Sequence, residues 1–219
     1  MKKIRSIIFH KFHYSFLIAL LTVIFGGCGT GGQNRISLSC NVDNDLFLTL
    51  KENKVPCVRY DTPEEAIKNA GEGSGVMILA DGYPEKTIEM DVSLYDKAIT
   101  KKLRLYVEYP SCLPGQILES PRPTLLERVV VSTDAFEPLT KMQILVLHGC
   151  SFIPVSVKNP LLAVGKVAGF DRAVYGLDKD SDTLAILFEQ PGNRLMVSTT
   201  KLSQFITARY APKEAIQTL

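Results

Sequence analysis

The chain has 219 residues, no tryptophan and only three histidines, two of which, His10 and His13, fall within the first 27 positions. His148 is therefore the one imidazole left for the remainder, so any Cys-His chemistry there must use it. The five cysteines include no C-x-x-C pair. His148-x-Cys150 offers two ligands, too few for a structural zinc site, and no metal is expected. A Walker loop is absent, as is a G-x-G-x-x-G after the first strand, so neither a nucleotide nor any other cofactor has support. Gly71-Glu72-Gly73-Ser74-Gly75 precedes a strand, whereas a phosphate-binding loop follows one, and it reads as a linker. Long runs of like charge are also missing, and charged residues make up 22% of the chain, which excludes disorder over most of its length. The net charge of +2 is unevenly placed: Lys2, Lys3, Arg5 and Lys11 lie in a first segment without acids. Setting those four aside leaves 21 basic against 23 acidic residues, which gives no electrostatic basis for a nucleic-acid partner.

With 46% hydrophobic residues, the chain is long enough to bury one core. Residues 1–27 read as a signal peptide, 28–35 as a lipidated tether and 36–219 as a single domain. Met1 to Ser15 is basic, and Phe16 to Phe25, FLIALLTVIF, is an apolar run too short to span a bilayer. Gly26-Gly27-Cys28 resembles the lipobox of bacterial lipoproteins, although Phe25 replaces the usual leucine. That resemblance implies lipid attachment at Cys28 and a body held at a membrane of the bacterial cell envelope, on the periplasmic or the outer surface.

From Ile36 onward strands and helices alternate. Ile36 to Asn41 is a strand; Asp43 and Asn44 can cap a helix from Asp45 to Asn53; Cys57 to Tyr60 is a second strand. Thr62-Pro63-Glu64-Glu65 is a capping box with proline at the first helical position. Gly75 to Asp81, GVMILAD, is apolar enough to be a strand covered on both faces. Ser93 caps a third helix reaching Lys101, and Leu103 to Tyr109 is the fourth strand. Four strands joined by three helices predict an α/β fold, a doubly wound, mainly parallel sheet of order 2-1-3-4. The second half reads as antiparallel strands extending that sheet: Leu126–Ser132, Gln143–His148, Phe152–Val157, Leu161–Ala168, Ala173–Gly176, Thr183–Phe188 and Leu195–Thr199. A C-terminal helix covers Lys201 to Tyr210, and Pro212 starts a last short one.

Ligands of such sheets bind beyond the carboxyl ends of the strands. There, Asp81 and Glu108 close neighbouring strands and form a candidate carboxylate pair for acid-base work or ligand binding. Tyr83 and Tyr109 could stack on a sugar ring at the same edge. Read as plain structure, Asp81-Gly82 is turn chemistry, Glu108 pairs with Arg104 or faces solvent, and the tyrosines are exposed loop residues. Cys112, in the turn after the fourth strand, is the candidate nucleophile, with His148 as its base. Cys40 and Cys57 fall at opposite ends of parallel strands, about 13 Å apart by strand rise, too far for a bridge. A Cys112–Cys150 disulfide stays open.

The strand ending LRLYVEYPSCLPG and the closing GNRLMVSTTKLSQF resemble the class I glutamine amidotransferase-like domain, in particular the modules that precede six-hairpin glycosidase domains. The active family carries its nucleophile in Gly-x-Cys-x-Gly and follows it with His-x-Glu. Here Pro110 and Pro114 flank Cys112, and Gly149-Cys150 follows His148. The resemblance thus implies a degenerate site and a non-catalytic accessory or interaction module in carbohydrate processing, with a glycosidase domain or a carbohydrate as partner. A Cys-dependent hydrolase or amidase using Cys112 and His148, and a sugar- or small-molecule-binding protein, are the alternatives. If Cys28 is the acylation site, Cys28→Ser abolishes incorporation of a labelled fatty acid and moves the protein to the soluble fraction; unchanged labelling excludes the anchor.

Overall fold

The alternation expected from the sequence is the architecture observed. Strand β1 (Ile36–Ser39) is followed by α1 (Asp45–Glu52), β2 (Cys57–Tyr60), α2 (Pro63–Asn69), β3 (Gly75–Ile78), α3 (Val92–Thr100) and β4 (Arg104–Glu108). The later strands are β5 (Arg122–Pro123), β6 (Arg128–Val131), β7 (Ile144–Val146), β8 (Ser151–Phe152), β9 (Ser156–Val157), β10 (Leu162–Gly165), β11 (Thr183–Gln190) and β12 (Leu195–Ser198). The computed structural model describes residues 35–125, 127–146, 149–165, 177, 183–190, 192 and 194–203. Cys28, His148, the strand expected at Ala173–Gly176, all but the first three residues of the helix expected at Lys201–Tyr210, and the short helix after Pro212 lie outside the described residues; Lys201 to Ser203 are not helical.

Each helix starts where a side chain satisfies its free N–H groups. Asn44 caps α1, its Oδ1 accepting from Phe47 N at 3.1 Å. Thr62 caps α2 by accepting from Glu65 N at 3.2 Å, while Glu65 accepts from Asp61 N at 3.3 Å, one residue before the cap. The cap of α3 is Asp91 rather than Ser93: its carboxylate accepts from Ser93 N at 2.7 Å, and its extended backbone (φ −65°, ψ 144°) suits the position. Lys101 serves the helix before its own, donating to Ile67 O and Lys68 O of α2, both at 2.8 Å. A cation there meets the negative end of that helix.

The main sheet runs β2-β1-β3-β4-β12-β11-β10-β6-β7, and β9 pairs with β11. Its first five strands are parallel and the rest antiparallel. This is the expected order 2-1-3-4 with one correction. β12 is antiparallel to β11, as its turn suggests, but parallel to β4, so it completes the parallel core instead of merely extending it. A second correction splits Phe152–Val157 into β8 and β9, with β8 paired to β5 in a separate ribbon.

Alternation along the strands sorts the core into two layers. Val76, Ile78, Leu105, Val107, Leu195 and Val197 face α2 and α3, meeting Ala66, Ile67, Tyr95 and Ala98. On the other side Leu38, Tyr106 and Leu187 share a cluster with Leu46 and Phe47 of α1 and with Val129, Val131 and Leu145. Among the described residues no helix is long and apolar enough to cross a membrane. Thr62→Ala is expected to lower the unfolding free energy by about 1 kcal/mol; an unchanged urea midpoint would show that this cap contributes nothing.

Candidate functional site at the carboxyl edge of the sheet

Because β1, β2, β3, β4 and β12 run the same way, the segments that leave them gather at one edge. Asp81, just beyond β3, ties two of these segments together. Its carboxylate accepts from Asn41 N at 2.6 Å and from Asn44 Nδ2 at 2.7 Å. Asn44 is also the α1 cap, so one carboxylate fixes the exit of β1, the entry of α1 and the loop after β3.

Glu108 is enclosed rather than open to a cleft, which corrects the expectation that it and Asp81 form a carboxylate pair facing one cleft. Its side chain is 1% exposed. Oε2 accepts from Ala80 N at 2.9 Å, and Oε1 accepts from Leu202 N at 2.9 Å and from the Tyr106 hydroxyl at 3.0 Å. Tyr106 and the two backbone amides thus surround it, and it pairs with neither Arg104 nor solvent. Burial pushes its pKa up to about 7 even though the three hydrogen bonds favour the ionised form. The same burial, with Glu108 next, holds the Tyr106 hydroxyl far above its ordinary value.

The two tyrosines are not exposed loop residues. Tyr109 is fully buried and Tyr83 half-buried, their rings 5.0 Å apart in an edge-on arrangement. The Tyr83 hydroxyl accepts from Ser151 N at 2.6 Å and from Thr200 Oγ1 at 3.2 Å and donates to Ser151 O at 3.0 Å. The Tyr109 hydroxyl donates to Pro84 O at 3.2 Å and lies 3.1 Å from Ser151 Oγ. Segment 149–153 therefore sits on the edge where a ligand of this sheet type would bind, and the polar atoms of Ser151 are matched by the two tyrosines. Cys150, also within that segment, is buried, its sulfur 3.3 Å from Thr200 Oγ1, and burial pushes its pKa up to about 11.

Cys112 is half-buried and its thiol donates to Met90 O at 2.9 Å. Its own carbonyl accepts from the Tyr95 hydroxyl at 3.0 Å, which ties the turn to α3. A nucleophile elbow places the reactive residue itself in the strained strand-to-helix turn. Here the strained residue is Tyr109, at φ +47° directly after β4, and residues 110–121 form no helix. Tyr109 O and Ser111 N instead pair with Ile88, both at 2.8 Å, continuing the strand's course. Cys112 thus has no helix N-terminus of its own to stabilise a thiolate. His148 lies outside the described residues. Cys40, Cys57, Cys112 and Cys150 are all free thiols, so the Cys112–Cys150 bridge left open by the sequence is not formed. Burial first, and the Asp81 carboxylate second, push the Cys40 thiol up to about 12. Among the described residues no group of three or more His, Cys, Asp or Glu side chains could hold a metal ion.

The edge therefore brings together Asp81, Tyr83, Glu108 and Tyr109, but as three separate hydrogen-bonded ties. Their partners Asn41, Tyr106, Ser151 and Thr200 were not anticipated. Only Tyr106 had a local signal, since residues two apart on a strand share a face. No family model and no curated protein matches the chain. Among solved structures it is similar to a Thermoplasma acidophilum protein described as a GMP synthase subunit, at 10% identity and a TM-score of 0.40, over 84% of this chain and 92% of that one. That is a distant likeness, and it says nothing about chemistry.

Two outcomes follow from the geometry. Tyr83→Phe strips the partner from Ser151 N–H and should lower stability by roughly 1–3 kcal/mol in equilibrium unfolding; a neutral result would mean the hydroxyl is not needed there. Glu108 is held above its ordinary value of 4.5, at about 7, so the folded chain binds this proton more tightly than the unfolded one. Its contribution is complete below the unfolded value and is lost as pH rises through 7, amounting to roughly 3 kcal/mol at most. Denaturation between pH 4.5 and 8 should show this decline in the native chain and its loss in Glu108→Gln.

Proposed function

We propose that the chain is a lipid-anchored envelope protein whose amidotransferase-like α/β body has no catalysis of its own and acts as an accessory or interaction module in carbohydrate processing. The observation that supports this reading best is the exit from β4. The strained position after the strand is occupied by a buried tyrosine, Tyr109, and Cys112 follows in a loop without a helix, its thiol donating to a carbonyl. An acyl-transfer nucleophile needs the opposite arrangement: a thiolate raised on the strained residue and stabilised by a helix N-terminus or a cation.

Two further observations are consistent with it. Segment 149–153 fills the edge above β3 and β4 through Ser151, leaving the tyrosines to bond the chain itself. Pro110 and Pro114 stand where the active family has glycines. The anchor rests on Gly26-Gly27-Cys28, and the carbohydrate context on the resemblance of LRLYVEYPSCLPG and GNRLMVSTTKLSQF to glycosidase-associated modules.

The decisive experiment is alkylation of Cys112 across pH in a Cys28→Ser chain, with every cysteine mapped by mass spectrometry. Labelling that rises only above about pH 8 is expected. Fast labelling below about pH 7 would reveal a stabilised thiolate and replace this reading with a Cys-dependent hydrolase. The partner is tested by cross-linking in intact envelopes. Recovery of a glycoside hydrolase joined to the body is expected, and adducts to unrelated enzymes alone would remove the carbohydrate assignment.

A further inference from the structure

Parallel sheets are covered on both faces. On one face of this sheet α2 and α3 provide the cover, and Ile67, Tyr95 and Ala98 share a cluster with the inward residues of β3, β4 and β12. On the other face, among the described residues, α1 is the only helix in the layer, contributing Leu46, Phe47 and Leu50. That layer holds an apolar groove of about 510 Å³, lined by Met77, Tyr106, Met196 and Leu187 with Phe136 and Leu202. Met77, Tyr106 and Met196 stand side by side in the register of β3, β4 and β12. The groove thus lies over the middle of the parallel core, where a second layer is needed most. The chain itself leaves the sheet there. Leu202 lines the groove, its N–H tied to Glu108 at 2.9 Å. Its neighbours are tied to the first turn of α1: Lys201 Nζ pairs with Asp45 at 3.0 Å, and the Ser203 side chain bonds the same carboxylate. Residue 204 therefore sets out from the carboxyl end of the groove, beside the start of α1.

We propose that residues 204–211 form a helix that lies in this groove, with Phe205 and Ile206 set against Met77, Tyr106 and Met196, and that this helix completes the layer begun by α1. The sequence supplies what such a helix needs. Ser203 is of the type that opens helices, Leu202, Phe205, Ile206 and Tyr210 recur at the spacing of one helix side, and Pro212 ends the run. The lengths agree as well. From Glu108, where Leu202 is tied, back to Arg104 at the other end of the groove is about 13 Å of strand. Residues 204–211 in a helix rise about 12 Å. A ligand or a second copy entering the groove would lose translational freedom, whereas a segment already joined to Leu202 loses none. With the groove filled in this way, the face is closed to a carbohydrate or a partner protein, and an accessory role must use another surface.

The test is photo-cross-linking in the full chain, with p-benzoylphenylalanine placed at Phe205 or, as a control, at Thr207, which falls outside the apolar stripe. Illumination of the Phe205 variant should give cross-links within one chain to peptides holding Met77, Tyr106 or Met196, mapped by mass spectrometry. The Thr207 variant should lose them. Cross-links between two copies, cross-links only to residues outside the groove, equal yields from the two positions, or no cross-link within the chain overturn the proposal. Should the Phe205 variant fail to fold, the same probe at Met196 reads the contact from the other side: adducts to residues 204–211 are expected, and their absence overturns it.

Discussion

Parallel pairing of β4 with both β3 and β12 is the constraint from which the rest of this structure follows. Parallel strands cannot be joined by a tight turn, so each must be reached by a crossover, and all their carboxyl ends arrive at one edge. Ala80, Tyr109 and Thr199 meet there although nearly 120 residues separate the first from the last. Such an edge carries free backbone groups and loop polar atoms away from bulk water, and each needs a partner. The three ties described above are answers to that requirement. Asp81 serves the loop after β1, Glu108 the loops after β3 and β12, and Tyr83 with Tyr109 the segment around Ser151.

The parallel half of the fold was legible because its signals are local. Thr62-Pro63-Glu64-Glu65 states where a helix begins, and GVMILAD states that a strand is covered on both faces. The direction of β12 was not legible, for a reason that applies to any strand. A strand has two neighbours, and the turn before it reports only one. The turn around Gly192 does make β12 antiparallel to β11, but its other edge, against β4, is set by the closure of the whole sheet. The cap of α3 shows a finer limit. Asp91 and Ser93 are both capping types two residues apart, and the choice between them belongs to the backbone, which is extended at Asp91.

At the site, the positions of the interesting residues were legible and their partners were not. Asp81, Tyr83, Glu108 and Tyr109 do collect at one edge, as strand ends in this topology must. What they do there depends on Ser151, Thr200 and Leu202, which arrive from 40 to 120 residues away and leave no trace near the residues they bind. Tyr109 is the clearest case. A tyrosine before a proline at a strand end reads as exposed, yet its left-handed backbone and the covering segment place its ring wholly inside. Tyr106 is the exception, because its spacing from Glu108 already puts both on one face of β4.

A cysteine in the loop after a central strand invites comparison with a nucleophile elbow, and the comparison turns on where the strain lies. Holding a non-glycine residue in the left-handed region costs about 1 kcal/mol or more, which the surroundings must offset. In an elbow that cost goes into presenting a nucleophile. In this chain it falls on Tyr109 and is offset by burial of the ring, the bonds of its hydroxyl and the pairing of its carbonyl with Ile88 N. Cys112, three residues later, has no left-handed backbone and donates a hydrogen bond from its thiol to Met90 O. Moving a cysteine to position 109 would not by itself restore an elbow, because the ring it replaced supports Ser151 and no helix follows to stabilise a thiolate. The strain at this strand end therefore serves packing, and the hydroxyl groups of Tyr83 and Tyr109 bond the chain's own segment around Ser151.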